Sequence, residues 1–284
     1  MDIIEKNKIR MAHHSENSTE LSKQIEALDW NELTSALDEC IFQKDEANLP
    51  AQYGPASYFP LAPESTEQKK LYDKAFNHGE LLIQDGKTAA FTVAGGQGTR
   101  LGYDGPKGTL PVSPIKKKPL FQLFAEQILG ISKQYEVTIP WYIMCSPLNL
   151  EATTTHFEEN NYYGLGKKNL KFFAQGVMPA TDFQGNLLRA SQDSLALSPN
   201  GHGGSLKALI DSGSVADMAM KGIEHVSYFQ VDNPLVSSIN PLFIGLHDLQ
   251  QSDMSSRSLT KTGPFEKLGN FVSLGDRSTI TDYS

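Results

Sequence analysis

Cysteine is scarce in this sequence, which has only Cys40 and Cys145 among 284 residues. The two lie far apart, and neither has a second cysteine or a histidine at metal-ligand spacing. This excludes the disulfide framework of a small secreted domain and a cysteine-based zinc site. Both residues are therefore predicted to be free thiols.

Long apolar runs are also missing. No stretch of about 18 apolar residues occurs, as a membrane-spanning helix would need. The first 24 residues lack the apolar core of a signal peptide. We expect a cytoplasmic protein without a membrane partner.

An excess of positive charge is absent, because the sequence has 25 Lys and Arg residues and 33 Asp and Glu residues. The formal net charge is -8. General nucleic-acid binders need a basic surface to displace counterions from phosphates. A nucleic-acid partner is therefore not expected, and any phosphate site must be local. With 39% hydrophobic and 20% charged residues, the chain has the composition of a globular protein.

The spacing of apolar residues changes along the chain. Residues 18 to 44 show the period of helices with one buried face, and a connector with four prolines follows at residues 49 to 63. From residue 88, short β-rich apolar runs alternate with segments of helical spacing, which predicts an α/β fold with a mainly parallel sheet flanked by helices. We expect a helical N-terminal segment at 1–87 and an α/β domain at 88–284, with an antiparallel hairpin around Gly275-Asp276.

The segment FTVAGGQGTRLGYDGPKG, residues 91–108, joins a predicted strand to a loop with six glycines. A loop that leaves the carboxyl end of such a strand faces the ligand crevice of an α/β sheet. Gly95, Gly96 and Gly98 would let backbone N–H groups approach a polyphosphate that a Cβ would obstruct. The alternative is a tight strand-to-helix turn without a ligand.

Two known glycine signatures do not fit this segment. Leu101 breaks the dinucleotide fingerprint G-x-G-x-x-G, and Gly108 after Lys107 is the wrong order for the nucleoside triphosphatase loop. The turn is instead followed by two cations, Arg100 and Lys107. Cations beside backbone donors suit a triphosphate under attack at one phosphorus, although Arg100 could equally be a solvated side chain.

Five motifs in one order carry a family resemblance: VAGGQGTRLGYDGPKG with KKPLFQLFAEQI, then FFAQGVMPATDFQGNLL, SPNGHGGSLKAL, FQVDNPLV and TKTGPFEKLG. The sequence resembles the eukaryotic-type UDP-sugar pyrophosphorylases, and most closely the UDP-N-acetylhexosamine pyrophosphorylases. The resemblance implies a Rossmann-like nucleotide-diphospho-sugar transferase fold. It also implies that UTP and a sugar 1-phosphate, here N-acetylglucosamine 1-phosphate, are joined with release of pyrophosphate and with Mg²⁺ as cofactor, Mn²⁺ being the alternative.

The same resemblance implies roles for individual residues. The predicted catalytic residues are Arg100, Lys107 and Lys261. The predicted substrate-binding residues are Gly95, Gly96, Gly98, Thr99, Gln175, Gly176, Gly201, His202, Gly203 and Asn233. The predicted metal ligand is Asp232.

The position of Asp232 supports its role independently, because it follows the apolar run HVSYFQV and would lie at the carboxyl edge of a strand. A carboxylate that caps a turn is the alternative there. Lys261 and Gln175 carry no signal apart from their motifs.

Two features leave alternatives open. The closest family pattern has asparagine where this sequence has His202, whereas relatives that act on glucose 1-phosphate tend to have histidine, so glucose or galactose 1-phosphate is the alternative substrate. The resemblance also implies that family members continue beyond Ser284 with further sugar-site residues. A fragment, a naturally short form and a UTP- or UDP-sugar-binding protein without turnover are all compatible with the sequence, which does not predict the oligomeric state.

Overall fold

A computed structural model describes residues 2–16, 18–42, 53–275 and 277–281. Its α-helices are α1 (Ile3–Ser15), α2 (Thr19–Glu26), α3 (Trp30–Leu37), α4 (Thr66–Gln84), α5 (Leu120–Gln134), α6 (Leu150–Glu159), α7 (Gly204–Asp211), α8 (Ser214–Met220) and α9 (Pro241–Leu249). Its strands are β1 (Gly54–Pro55), β2 (Thr88–Val93), β3 (Trp141–Cys145), β4 (Leu170–Ala174), β5 (Val177–Pro179), β6 (Leu197–Pro199), β7 (His225–Gln230), β8 (Asn270–Leu274) and β9 (Arg277–Thr281).

The chain divides into two compact units. Unit 1 comprises Met1–Lys70, Ala180–Ala196 and Asp253–Ser284, and unit 2 comprises Leu71–Pro179 and Leu197–Ser252. This grouping follows spatial proximity and interrupts the chain more than once. The predicted division at residue 87 stays a prediction.

Unit 2 contains a four-stranded sheet in the order β4-β3-β2-β7, with every neighbouring pair parallel. The central strands β2 and β3 are almost entirely buried, as expected for parallel strands covered on both faces. The predicted mainly parallel α/β fold is confirmed. The antiparallel pair β5–β6 is separate from this sheet.

Two apolar clusters cover the two faces of the sheet. On one face, α5 contributes Phe121, Phe124 and Ile128 to a cluster with Trp141 and Phe229. On the other face, the smaller cluster contains Phe91, Tyr142, Met144 and Phe173 together with residues of α7 and α8. Because side chains alternate along a strand, Phe229 and its neighbour Tyr228 lie on opposite faces.

Helices α4 and α9 cross in unit 2 with their backbones in contact. A Cβ on Gly79 would lie 1.9 Å from the carbonyl oxygen of Pro241, and a Cβ on Gly245 would lie 1.8 Å from that of Ala75. A crossing this close requires glycine on both helices.

Unit 1 packs its three N-terminal helices around Met11, Leu21, Leu33 and Leu37, and residues 180–196 add two leucines to the same cluster. The buried side chain of Asn7 donates a hydrogen bond to the carbonyl oxygen of Gly185 at 2.8 Å and accepts one from the N–H of Leu187 at 3.0 Å. The periodicity predicted helices in this region, but gave no sign that residues 180–196 pack with them.

Unit 1 also contains the antiparallel sheet β1-β8-β9. The predicted hairpin near residue 275 is present as β8 and β9, and Gly275 has a φ of +64° at its turn. Asp276 and residues 49–52 of the predicted proline-rich connector lie outside the described residues. Within the described ranges, no helix combines the length and the apolarity needed to cross a membrane.

Candidate active site

The residues that follow the strands of the parallel sheet lie at one edge of the sheet. Three backbone hydrogen bonds continue the pairing past the strand ends. The N–H of Ala94 donates to the carbonyl oxygen of Met144 at 2.7 Å, and the N–H of Gln175 donates to that of Cys145 at 2.7 Å. The N–H of Val231 donates to the carbonyl oxygen of Val93 at 3.1 Å. The ladder therefore extends one residue beyond three of the strands, and the loops that follow begin side by side.

A cleft of about 260 Å³ lies at this carboxyl edge. Seven of the predicted site residues line it: Gly95, Gly96, Lys107, Gln175, Gly201, His202 and Asp232. Four further residues complete the lining: Val93, Pro199, Gln230 and Val231. Residues that are far apart in sequence thus share one cleft.

At two glycines of the turn after β2, a Cβ would meet neighbouring side chains. A Cβ on Gly95 would lie 2.2 Å from Oε1 of Gln175, and a Cβ on Gly98 would lie 2.7 Å from the ring of Tyr103. Gly98 has no room for a Cβ, because the ring and the backbone of Tyr103 surround that position. At Gly95 a Cβ would displace the end of the buried Gln175 side chain. Gly98 is buried beneath the turn and does not line the cleft.

A buried asparagine holds this turn in place. Asn149 is fully buried at the start of α6, and its Nδ2 donates to the carbonyl oxygens of Ala94 at 3.2 Å and Gly96 at 3.4 Å. Its Oδ1 accepts the N–H of Ser146 at 2.9 Å. Asn149 was not predicted as a site residue, because no motif contains it.

Lys107 returns to the cleft because the loop folds back on itself. The N–H of Lys107 donates to the carbonyl oxygen of Gly96 at 2.9 Å, and the N–H of Gly98 donates to that of Gly105 at 2.9 Å. The Nζ of Lys107 then lies 2.8 Å from Oδ2 of Asp232. The predicted catalytic lysine and the predicted metal ligand, 125 residues apart in sequence, therefore form an ion pair beside the glycine turn.

The second predicted cation has a different place. Arg100 and Thr99 lie in a 3-10 turn at Thr99–Leu101, where both are exposed and neither lines the cleft in this structure. A role for either residue in binding phosphate stays a prediction.

One asparagine connects the two other glycine segments. A Cβ on Gly176 would lie 2.6 Å from Nδ2 of Asn200, and a Cβ on Gly204 would lie 2.1 Å from its Oδ1. The N–H of Asn200 also donates to the carbonyl oxygen of Gly176 at 3.2 Å. The segment after β4 and the turn before α7 are therefore locked together by a residue that was not predicted as part of the site.

His202 lies in the turn between Gly201, which has a φ of +73°, and Gly203. Its Nδ1 is 2.7 Å from the hydroxyl oxygen of Tyr228 on β7. A tyrosine phenol is protonated at neutral pH, and burial raises the pKa of Tyr228 further. Tyr228 was missed by sequence reasoning, although the alternation of HVSYFQ places it on the same face as the cleft residue Gln230.

The remaining predicted residues do not line the cleft. Asn233 is exposed, and its backbone N–H donates to the carbonyl oxygen of Gln230 at 3.2 Å. Lys261 belongs to unit 1, where its Nζ donates to the carbonyl oxygen of Leu268 at 3.2 Å. The roles assigned to both residues stay predictions.

A family model whose description is UTP--glucose-1-phosphate uridylyltransferase matches residues 55–284 of this sequence. The chain belongs to this family. The match covers all the motifs that carried the resemblance, which is therefore confirmed at the level of the family.

Known members of the family resemble the chain in sequence and in structure. The UDP-N-acetylglucosamine pyrophosphorylase of Saccharomyces cerevisiae is 35% identical over 233 residues, which cover 79% of this chain and 49% of the yeast protein. A crystal structure of an Entamoeba histolytica protein is 34% identical, with a TM-score of 0.73 over 82% of this chain and 58% of that one. A crystal structure of the uridine diphosphate N-acetylglucosamine pyrophosphorylase of Trypanosoma brucei, 24% identical, has a TM-score of 0.79 over 98% of this chain and 56% of that one.

These structures confirm the nucleotidyltransferase fold of the UTP--glucose-1-phosphate uridylyltransferase family. The chain spans about half the length of the curated relatives it matches.

The cleft of this family member has one carboxylate suited to a divalent cation. Among the residues that the structure describes, no three His, Cys, Asp or Glu side chains are grouped so as to hold a metal. Mg²⁺, however, retains water and is commonly bound through one or two carboxylates together with substrate phosphates. Asp232 beside the glycine turn fits that pattern, with its partner Lys107 as the competing cation.

Proposed function

We propose that this protein is a uridylyltransferase that joins UTP and N-acetylglucosamine 1-phosphate to form UDP-N-acetylglucosamine and pyrophosphate. The observation that carries the proposal is the pairing of Lys107 with Asp232 beside the Gly95-Gly96 turn. This places a cation, a carboxylate and accessible backbone at one carboxyl edge, in a chain whose family transfers uridylyl groups. That combination of groups suits a triphosphate, whose charge must be neutralised.

In the proposed reaction, a phosphate oxygen of the sugar 1-phosphate attacks the α-phosphorus of UTP. The new phosphorus–oxygen bond forms as the bond to the bridging oxygen of pyrophosphate breaks, and the leaving group carries away the electron pair. The attacking oxygen is already ionised at neutral pH, so no general base is required. The catalytic contribution of the chain is then the positioning of both substrates and the stabilisation of charge.

Lys107 is the residue of the cleft that we assign to charge stabilisation. Its Nζ lies close to the glycine turn, 3.5 Å from where a Cβ on Gly96 would be. A phosphate group bound over the turn would reach both the backbone N–H groups and this ammonium. Because Asp232 holds Lys107 at 2.8 Å, a bound phosphate would have to compete with that carboxylate.

Asp232 is the protein ligand that we propose for Mg²⁺, with Mn²⁺ as the alternative cation. When bound, the cation would supply positive charge to the phosphate oxygens. The cation would also neutralise the charge of the Asp232 carboxylate when the Lys107 ammonium binds a phosphate instead. Nucleotide binding and cation binding should therefore favour each other.

We assign the uracil to Gln175 and Gly176, at the end of β4. Gln175 is 8% exposed, and its side chain lies directly against Gly95. A carboxamide can both donate and accept hydrogen bonds, as the polar edge of uracil does. Fixed between the strand edge and the turn, it would recognise the base while the turn binds the phosphates.

Glucose 1-phosphate or galactose 1-phosphate is the second candidate substrate. The observation in its favour is His202, which lines the cleft in the glycine turn that precedes α7. The family model also has a glucose 1-phosphate enzyme as its description.

The test combines pyrophosphate release with nucleotide binding. UTP would be supplied with each of the three sugar 1-phosphates, with and without MgCl₂, and UTP binding would be measured by calorimetry on the same preparation. Highest turnover with N-acetylglucosamine 1-phosphate, dependent on MgCl₂, is the expected result. A preference for another sugar 1-phosphate would change the assigned substrate, and UTP binding without turnover would indicate a nucleotide-binding protein. The absence of both UTP binding and turnover would refute the proposal.

A further inference from the structure

The imidazole of His202 is hydrogen-bonded to the sheet through Tyr228. The turn that carries His202 has glycine on both sides, and the N–H of Ser205 donates to the carbonyl oxygen of His202 at 3.1 Å. The side chain reaches across to β7, where its Nδ1 meets the Tyr228 hydroxyl at 2.7 Å. The orientation of the ring therefore depends on that contact.

The sheet holds Tyr228, the partner in this contact, through its strand and its ring. It lies in the middle of β7, in register with Phe91 of the central strand β2, and its ring packs edge-on against the Phe91 ring with centroids 5.4 Å apart. Two residues further along the same face, Gln230 lines the cleft. The hydroxyl of Tyr228 is thus presented at the side of the cleft by the sheet itself.

The chemistry of the two groups sets the direction of the hydrogen bond. A neutral imidazole has one donor nitrogen and one acceptor nitrogen, and the phenol is the better donor of the two partners. Burial raises the pKa of Tyr228 and keeps its proton in place. With Nδ1 accepting from Tyr228, the proton of the imidazole resides on Nε2, at the opposite side of the ring.

We propose that Tyr228 is a positioning residue for ligand recognition: its hydroxyl fixes the His202 ring so that Nε2–H donates a hydrogen bond to an oxygen of a UDP-sugar in the cleft. This inference rests on the proposed function. It assigns specificity to a pair of residues, His202 and Tyr228. The acceptor oxygen belongs to the sugar or to the uridine part, and ligands with and without the sugar separate those two sources.

The protonation of His202 can be measured without any ligand. A long-range ¹H–¹⁵N spectrum of the ¹⁵N-labelled protein at pH 8 shows which nitrogen of each of the seven histidines carries the proton, and His202→Asn identifies the signal of His202. We expect a protonated Nε2 and a bare Nδ1, with the Nδ1 shift altered in Tyr228→Phe. A proton on Nδ1 in the wild type would overturn the proposal.

The role in recognition calls for a double-mutant cycle. Tyr228→Phe keeps the ring on Phe91 and removes only the hydroxyl. The dissociation constants of UDP-N-acetylglucosamine, UDP-glucose and UTP are measured by calorimetry for the wild type, Tyr228→Phe, His202→Ala and the double variant. We expect Tyr228→Phe to weaken binding of at least one UDP-sugar about three- to tenfold, the worth of one hydrogen bond, and to have no further effect when His202 is alanine.

Tyr162→Phe is the matched control, because it removes another phenol hydroxyl from unit 2, one that donates to Glu158 at 3.1 Å away from the cleft. It should leave all three dissociation constants unchanged. Thermal unfolding of each variant verifies that the fold is retained.

The results separate this inference from the proposed function. Failure of the wild type to bind any of the three nucleotides would refute the proposed function together with the inference. Binding by the wild type with equal effects of Tyr228→Phe in both backgrounds would refute the inference alone. An effect seen equally with UTP would place the acceptor on the uridine part, and one confined to UDP-sugars would place it on the sugar; both support the proposal.

Discussion

Replacing Lys107 with alanine separates the two things that its ion pair could do. The pair with Asp232 could stabilise the fold, or the lysine could be held ready for a phosphate. The two roles predict effects of very different size. The variant removes the ammonium and leaves the carboxylate in a cleft that is open to water.

The stabilising contribution is small, because both partners are partly exposed. The Lys107 side chain is 25% exposed and the Asp232 side chain 44%. Ion pairs at such positions contribute about 0.2–1 kcal/mol to folding. For a domain of this size, the loss corresponds to a melting temperature lower by no more than about 4 °C.

The effect on function should be much larger. Loss of a charged hydrogen-bond donor to phosphate costs about 1.5–3 kcal/mol, which weakens UTP binding by about 10- to 150-fold. Loss of a donor that stabilises charge in the transition state reduces turnover by about 10²- to 10³-fold. Lys107→Ala should therefore bind UTP poorly while its unfolding is nearly normal.

Lys118→Ala is a closely matched control. Lys118 forms an ion pair with Glu126 at the start of α5, and the two side chains are 23% and 42% exposed. This variant should lose the same small amount of stability and keep its affinity for UTP. Calorimetric titration with UTP and thermal unfolding, carried out on both variants, provide the comparison. Equal UTP affinity in the wild type and Lys107→Ala would refute the assignment of Lys107 to the phosphate site.

Three further predictions follow from the packing and the titrating groups. Gly95→Ala places a Cβ 2.2 Å from Oε1 of Gln175, so UTP affinity measured by calorimetry should fall at least tenfold; unchanged affinity would mean that the turn does not approach the nucleotide. Gly79→Ala forces α4 away from the backbone of α9 and should lower the free energy of unfolding in urea by about 1–3 kcal/mol. Gly130→Ala, with nothing within 4 Å of its Cβ, should raise it by about 0.4–1 kcal/mol, and similar losses in both variants would argue against the close crossing. Burial lowers the pKa of His156 in the folded state, so the unfolded chain binds more protons as pH falls below about 6.5; urea unfolding should show a steeper loss of stability from pH 8 to pH 5.5 in the wild type than in His156→Gln, and parallel curves would contradict this.

The elements with a strong local signal were predictable from sequence. The apolar run before Gly95 predicted a strand that ends at a ligand crevice, and β2 ends there. The alternation of apolar runs and helical segments predicted the parallel sheet. Residues 180–196 were not predictable in the same way, because their leucines pack with helices near the N-terminus and no local pattern records that partner.

The candidate site was predictable in part for the same reason. Gly95, Gln175 and Asp232 follow strands, so their arrival at one edge follows from parallel topology. Asn149 lies in no motif, and Asn200 lies in the motif SPNGHGGSLKAL without having been assigned a role; the importance of both is visible only as hydrogen bonds and, for Asn200, as the space its side chain occupies against glycines. Arg100 is adjacent to the turn in sequence, yet the 3-10 turn directs it to solvent.

The sequence by itself determined the family, the fold class and the composition of the glycine turns, because these depend on local backbone preferences and on motifs within short segments. Only the tertiary structure decided which side chains meet. The Lys107–Asp232 ion pair spans 125 residues and the His202–Tyr228 bond spans 26. Such contacts depend on the register of strands β2 and β7 and on the path of the loops between them, which is set by packing across the whole sheet.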